Sequence, residues 1–304
     1  MAESTFLGVP LRRLDDDDDD DVGADVAILG VAHGTPYPDD AGHAAEAPGA
    51  IRAASGRFAG FLDHHDFEVD GPLLPAGFRL ADLGDIPSDP AQPEANRDRI
   101  RGAVSGLLNR ETLPILLGGD DSIPIPFLQA FVRHGPVAIL HVDAHLDYRE
   151  ERDGERLGFS SAMRRAAEMP WVSRICHVGL RGVGSALVGD VADARAHGDL
   201  LITASHLRRE GPSPVLEYLG GMRFVVSLDC DGLDPSQLAA VRAPLPGGLR
   251  YENTVELLVA AIRQGGFSGM VVTELAPALD PSGLAALLTS RLISNVIGVA
   301  ARAG

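Results

Sequence analysis

The chain has 304 residues, 45% of them hydrophobic, and a formal charge of -17, which is material for one large core or two ordinary ones. The acidity excludes a nucleic-acid partner, because phosphate backbones are held by clustered lysines and arginines. No apolar stretch approaches the roughly 20 residues of a membrane span and the first residues lack a signal-peptide core, so no membrane association and a cytoplasmic location are expected.

Near the start, Asp15 to Asp21 is an unbroken run of seven aspartates, without which the charge is -17 + 7 = -10. Such a run is ordinarily solvated and flexible, so residues 1–21 are read as a flexible acidic segment and 22–304 as a single domain. Eight short apolar runs follow: Asp25 to Val31, Phe78 to Leu83, Pro114 to Leu117, Val137 to Val142, Arg174 to Val178, Leu200 to Thr203, Phe224 to Leu228 and Ser268 to Thr273. Between them, Pro48 to Phe61, Pro93 to Asn109, Ile123 to Arg133, Ser160 to Met169, Asn253 to Arg263 and Ser282 to Gly298 have amphipathic helical spacing. The alternation predicts an α/β fold, a three-layer α-β-α sandwich around a mostly parallel sheet of about eight strands. Cys176 and Cys230 are the only cysteines, too few for a disulfide framework, and are read as reduced.

Chemistry concentrates at the ends of these runs, where open parallel sheets build ligand sites. After Val137 to Val142 come Asp143, His145 and Asp147, and on an extended chain these alternate positions share a face. After Phe224 to Leu228 come Asp229 and Asp231 with the same spacing. A lone Asp-x-Asp is ordinarily a turn or helix cap. Four carboxylates together are different, since neither segment carries a lysine or arginine to offset their repulsion, and a pair of hard cations would. Cys230 should point away from its neighbours and pack; Asp120 and Asp234 read as turn carboxylates; His141 reads either as a partner of the ligands or as a satisfied core histidine.

The ordered motifs resemble the ureohydrolase family of arginases, agmatinases and guanidino-acid hydrolases. Carrying the resemblance are Gly42 with Pro48 to Arg52, Asp82-Leu83-Gly84-Asp85, the Asp-Ala-His-x-Asp of 143–147 and the Ser-x-Asp-x-Asp-x-x-Asp-Pro of 227–235. Val178 to Gly182, Pro246 to Leu249 and Thr273 to Pro277 follow in the family's order, and the flanking residues are nearest its agmatinase-like branch. The resemblance implies an arginase-like fold, two Mn2+ ions per subunit, with Ni2+ or another divalent ion as an alternative, and a homo-oligomer, a trimer or hexamer. It implies metal ligands Asp121, Asp143, His145, Asp147, Asp229 and Asp231, with Asp143 and Asp229 bridging. Asp147 would also orient a metal-bridging hydroxide, and Glu274 would pair with the guanidinium of a small cationic substrate that is cleaved to urea and an amine.

Three departures stand out. Gly118-Gly119-Asp120-Asp121-Ser122 has Asp121 where the family has a ligating histidine, which leaves five aspartates and one histidine around the metals. Leu157 stands where many members have a histidine near the substrate, and Ala240-Val241-Arg242-Ala243 replaces a Gly/Thr-rich loop. Two rivals therefore stay open: a protein of this fold with a degenerate metal site acting as a non-catalytic or regulatory subunit, and a hydrolase of a different amidine or guanidine metabolite.

Overall fold

The computed structural model describes residues 4–12, 23–40 and 42–303. Eight strands form one sheet: β1 (Val26–Val31), β2 (Leu80–Ile86), β3 (Leu113–Gly118), β4 (Val137–Val142), β5 (Val172–Leu180), β6 (Leu200–Thr203), β7 (Phe224–Asp229) and β8 (Phe267–Thr273). They lie in the order β2-β1-β3-β8-β7-β4-β5-β6, all pairs parallel. Because helices cover both faces, β1, β4 and β7 are buried at every position, and their sequences run nearly continuously apolar instead of alternating with polar residues.

Alternate residues feed two cores. Val26 and Ile28 face one with α1 (Ala47–Ser55), α8 (Tyr251–Gln264) and α9 (Leu284–Ala300). Ala27, Leu29 and Val31 face the other with α2 (Pro93–Asn109), α3 (Pro124–Gln129) and α4 (Ala162–Ala167). This is the three-layer sandwich expected, with every strand near its apolar run. Three helices were not anticipated: α5 (Val188–His197), α6 (Ala204–Glu210) and α7 (Ser213–Leu219). The first leaves Val188 almost wholly exposed, and Gly211-Pro212 interrupts the other two, so none carries a sustained 3.6-residue apolar stripe.

The expected boundary at residue 22 needs correction for part of the N-terminal segment. Phe6 and Leu7 are fully buried in the first core, the Phe6 N–H donates to Asp82 Oδ2 at 2.7 Å, and Leu11 bridges to Asp82 beside β2. Two large apolar side chains ahead of the acidic run stabilise this docking by withdrawing their surface from water. The run Asp15 to Asp21 lies outside the described residues. No helix among the described residues is long and apolar enough to cross a membrane.

Candidate metal centre

At the C-terminal edge of the sheet, β3, β4, β7 and β8 bring Asp121, Asp143, His145, Asp147, Asp229, Asp231 and Glu274 together from segments 150 residues apart. Asp121, His141, Asp143 and Asp147 have ligand atoms within 4.8 Å of one another, and so do Asp143, His145 and Asp231; Asp143 belongs to both groups. Asp229 lines the same cavity of about 250 Å³ as Asp121, His145, Asp147, Asp231 and Glu274.

The convergence does not arise as the extended-chain picture expected. After Val142 the chain bends through Ala144 and His145, and after Asp229 it makes a tight turn over Cys230–Gly232. The bends are pinned by the carboxylates themselves. Asp143 Oδ1 accepts from the His145 N–H at 2.6 Å, Asp229 Oδ1 from the Asp231 N–H at 2.7 Å, and Asp231 Oδ1 from the Ala144 N–H at 3.1 Å, tying the two loops together. Two glycines permit the approach. A Cβ on Gly232 would sit 2.9 Å from the Asp143 nitrogen, and Gly179, at φ +111°, would bring one within 2.6 Å of the Asp143 carbonyl. Cys230 turns away and packs beside Thr289, as expected.

Asp147 and Glu274 are both held at positive φ, 46° and 65°, where side chains other than glycine are uncommon. Such conformations persist where the surroundings over-determine them, and they cluster at functional sites. The Asp147 carbonyl accepts from the N–H groups of Met163 and Arg164 in α4, while the Glu274 N–H donates to the Gly119 carbonyl at 2.8 Å. Glu274 Oε1 accepts from the Asp121 N–H at 2.9 Å, and Oε2 lies 2.6 Å from His43 Nε2.

Electrostatically the centre is unbalanced. Burial, reinforced by neighbouring carboxylates, drives Asp121, Asp147 and Asp229 well above the ordinary carboxylate range and Asp143 up to about 7. Burial opposes a charge on His145 as well, but its contacts with Asp143 and with Asp231, at 2.9 Å, outweigh this and raise it to about 11. Asp121 Oδ1 accepts from the Thr273 hydroxyl, whereas Asp121 Oδ2, Asp143 Oδ2 and His141 Nε2 are buried with no hydrogen-bond partner.

His141 heads a buried chain. Its Nδ1 is 2.9 Å from His177 Nδ1, His177 Nε2 is 3.4 Å from Asp199 Oδ2, and Asp199 Oδ1 is 2.6 Å from His197 Nδ1. Burial lowers His141 to about 3 and His177 to about 4, so both rings are neutral. With Asp199 accepting from His177 Nε2–H, His177 Nδ1 accepts from His141 Nδ1–H, and the lone pair of His141 Nε2 faces Asp143 Oδ2 at 3.0 Å. Two lone pairs so close in a buried setting need a proton or a cation between them. A hard divalent cation fits this donor set of carboxylate oxygens and imidazole nitrogens.

The sequence reading missed several contributors. Arg181 donates to the carbonyls of Gly179, Asp231, Gly232, Leu233 and Leu245, clamping the loop that carries Asp231. His43, Thr273 and the His177–Asp199 pair were also missed. Asp120 and Asp234 are turn carboxylates as read, accepting from the N–H groups of Gly34 and Ser122, and of Ser236, Gly247 and Gly248. Leu157 is half-buried against the second core.

Comparison with known proteins agrees with this architecture: the model of the arginase family matches residues 24–298. The chain belongs to the arginase family. This arginase-family chain is 29% identical over 294 residues to proclavaminate amidinohydrolase of Streptomyces clavuligerus, covering 92% of this chain and 90% of that one. The solved structure of that protein superposes with a TM-score of 0.84 at 26% identity, covering 99% of this chain and 98% of the other. An agmatinase of Halalkalibacterium halodurans is 28% identical over 255 residues, covering 82% and 83%. The mitochondrial guanidino acid hydrolase of Homo sapiens is 29% identical over 235 residues, 75% of this chain but 66% of that protein's length.

Proposed function

We propose that the chain is a metal-dependent hydrolase of a linear C–N bond in a guanidino compound, releasing urea and an amine. The observation that carries this reading is the meeting of Asp121, His145, Asp147, Asp229, Asp231 and Glu274 in the lining of one cavity, with Asp143 grouped with Asp121 and Asp147 and with His145 and Asp231. Relatives named agmatinase, proclavaminate amidinohydrolase and guanidino acid hydrolase support a substrate of this class. Asp121, Asp143, Asp147 and Asp229 would hold one divalent ion and Asp143, His145, Asp229 and Asp231 the other, with Mn2+ the expected metal and Ni2+ an alternative. When bound, such a pair supplies Lewis acidity and a nucleophilic water at neutral pH.

The chain's own residues then divide the work. Glu274 presents a buried carboxylate to the substrate guanidinium; burial raises its pKa, His43 and the Asp121 N–H oppose that rise, and a bound guanidinium would complete the stabilisation of its charged form. Asp147, fixed at positive φ by α4, orients the attacking water and carries a proton toward the departing nitrogen. Leu157 moves no proton, and the acid–base role is assigned to Asp147. Agmatine is one member of the substrate class. A cytoplasmic homo-oligomer, trimer or hexamer, accompanies this reading.

Urea release from a panel of guanidino compounds, with purified protein supplied with Mn2+ or Ni2+, tests the activity; none from any member refutes it. Asp121, a carboxylate in place of the family's imidazole, is pushed well above the ordinary range by burial and the neighbouring Asp147 and Asp143, which favours a second reading in which one metal is lost and the chain is a non-catalytic subunit. That reading requires one ion per chain in the native protein and a second ion, with turnover, in Asp121→His.

A further inference from the structure

Resting on the reading of the cavity as a guanidino-hydrolysing site, we propose that the far end of the substrate is a carboxylate, held by Arg152 and Arg242, so that the substrate is an ω-guanidino acid and not a guanidino amine. The cavity is polarised. Its floor carries the carboxylates of Asp121, Asp229, Asp231 and Glu274, all buried, which suit divalent ions and a guanidinium. Its rim carries Arg152 and Arg242, whose side chains are 36% and 47% exposed. A linear substrate with its guanidinium on the floor places its other end between two guanidinium groups.

Arg152 is a preorganised donor. Its guanidinium lies 4.5 Å from the Tyr37 ring centroid and 5.8 Å from that of Phe159, which holds the planar fork against one wall. Its ionic contacts, Asp39 at 3.4 Å and Asp153 at 3.6 Å, reach aspartates that are 64% and 86% exposed, and pairs this long and wet contribute little. Arg242 belongs to the segment that departs from the family pattern, and it is anchored by an ion pair to buried Asp40. That pair engages one guanidinium nitrogen and leaves the rest of the fork for a second acceptor. Asp40, which also lines the cavity, is paired with Arg242.

An ammonium tail would meet the like charge of both guanidinium groups, whereas a carboxylate would complete both arginines. The cavity, about 250 Å³, is below the size of a drug-binding pocket and matches a small metabolite.

The test compares 4-guanidinobutanoate with agmatine, similar in length and opposite in terminal charge, on the Mn2+-loaded protein, by urea release and by calorimetric binding. The expected result is a preference for the acid of about tenfold or more in kcat/KM and in affinity, carried mainly by KM. In Arg152→Gln and Arg242→Gln the ratio of acid to amine should fall toward one. Agmatine bound or cleaved as well as the acid overturns the inference while leaving the hydrolase reading intact, as does an unchanged ratio in both variants. Selective binding of the acid without urea release supports the inference and refutes the hydrolase reading. Absence of binding by either compound refutes both.

Discussion

Replacing Arg181 with methionine removes the clamp on the loop that carries Asp231 while keeping a side chain of comparable length. In the native chain its guanidinium serves five carbonyls, with contacts from 2.6 Å to the Asp231 oxygen to 3.1 Å to those of Gly179 and Gly232. Each hydrogen bond from a charged donor contributes about 1.5–3 kcal/mol net, but the site is half-buried and water takes over some of the carbonyls. The loss should accordingly lie at about 3 kcal/mol, the upper end of what a single substitution ordinarily costs. Asp231 loses its support at the same time, and removing a partner that orients a ligand lowers metal affinity by about 10–100-fold. Urea denaturation with and without Mn2+, together with calorimetric Mn2+ titration, measures both effects. An Arg181→Met protein that unfolds at the native midpoint and binds Mn2+ undiminished would refute the clamp.

Three further outcomes follow from the same geometry. In metal-free protein the four raised carboxyls, Asp121, Asp143 at about 7, Asp147 and Asp229, outnumber His141 and His177, which are held neutral and act in the opposite sense, so the folded state holds more protons than the unfolded one between pH of about 4 and 7. Stability in chelator should therefore fall as pH rises through that window, and the stabilisation from added Mn2+ should grow; a rise in metal-free stability from pH 4 to 7 would contradict the assignment. Gly232→Ala places a methyl against the Asp143 backbone and should cost about 1–3 kcal/mol and weaken metal binding, read by thermal melts with and without Mn2+. Glu274→Gln should lower kcat/KM for a guanidino substrate by about 10²–10³-fold with metal content unchanged, and a turnover near that of the native protein would remove Glu274 from the reaction.

How much of this was legible in the sequence depended on where each residue's partners lie. Strands buried on both faces announce themselves as continuous apolar runs, so β4 coincides with its run, whereas α5 to α7 bury too narrow a face to leave a period. Asp143, His145 and Asp147, and Asp229 with Asp231, stand out because their spacing is local, whereas Asp121 was reached only through the resemblance to a known family. His43 and Thr273 act through contacts 231 and 152 residues away, and a lone histidine or threonine gives no sign of such a partner. Arg181 sat inside a recognised motif, but its work is done on backbone carbonyls, which every sequence has. The bends after Val142 and Asp229 were hidden because an Asp-x-His-x-Asp string reads equally well extended or turned. Phe6 and Leu7 were discounted through the acidic run that follows them, although that run says nothing about two apolar side chains before it.

The central claim, that Asp121, Asp143, His145, Asp147, Asp229 and Asp231 surround a pair of divalent cations, is tested most directly by anomalous diffraction from crystals of the full chain grown with Mn2+. Two peaks are expected, one contacted by Asp121 and Asp147, the other by His145 and Asp231, with Asp143 and Asp229 between them. A map without a peak among these side chains, at a Mn2+ concentration that saturates calorimetric binding, would contradict it.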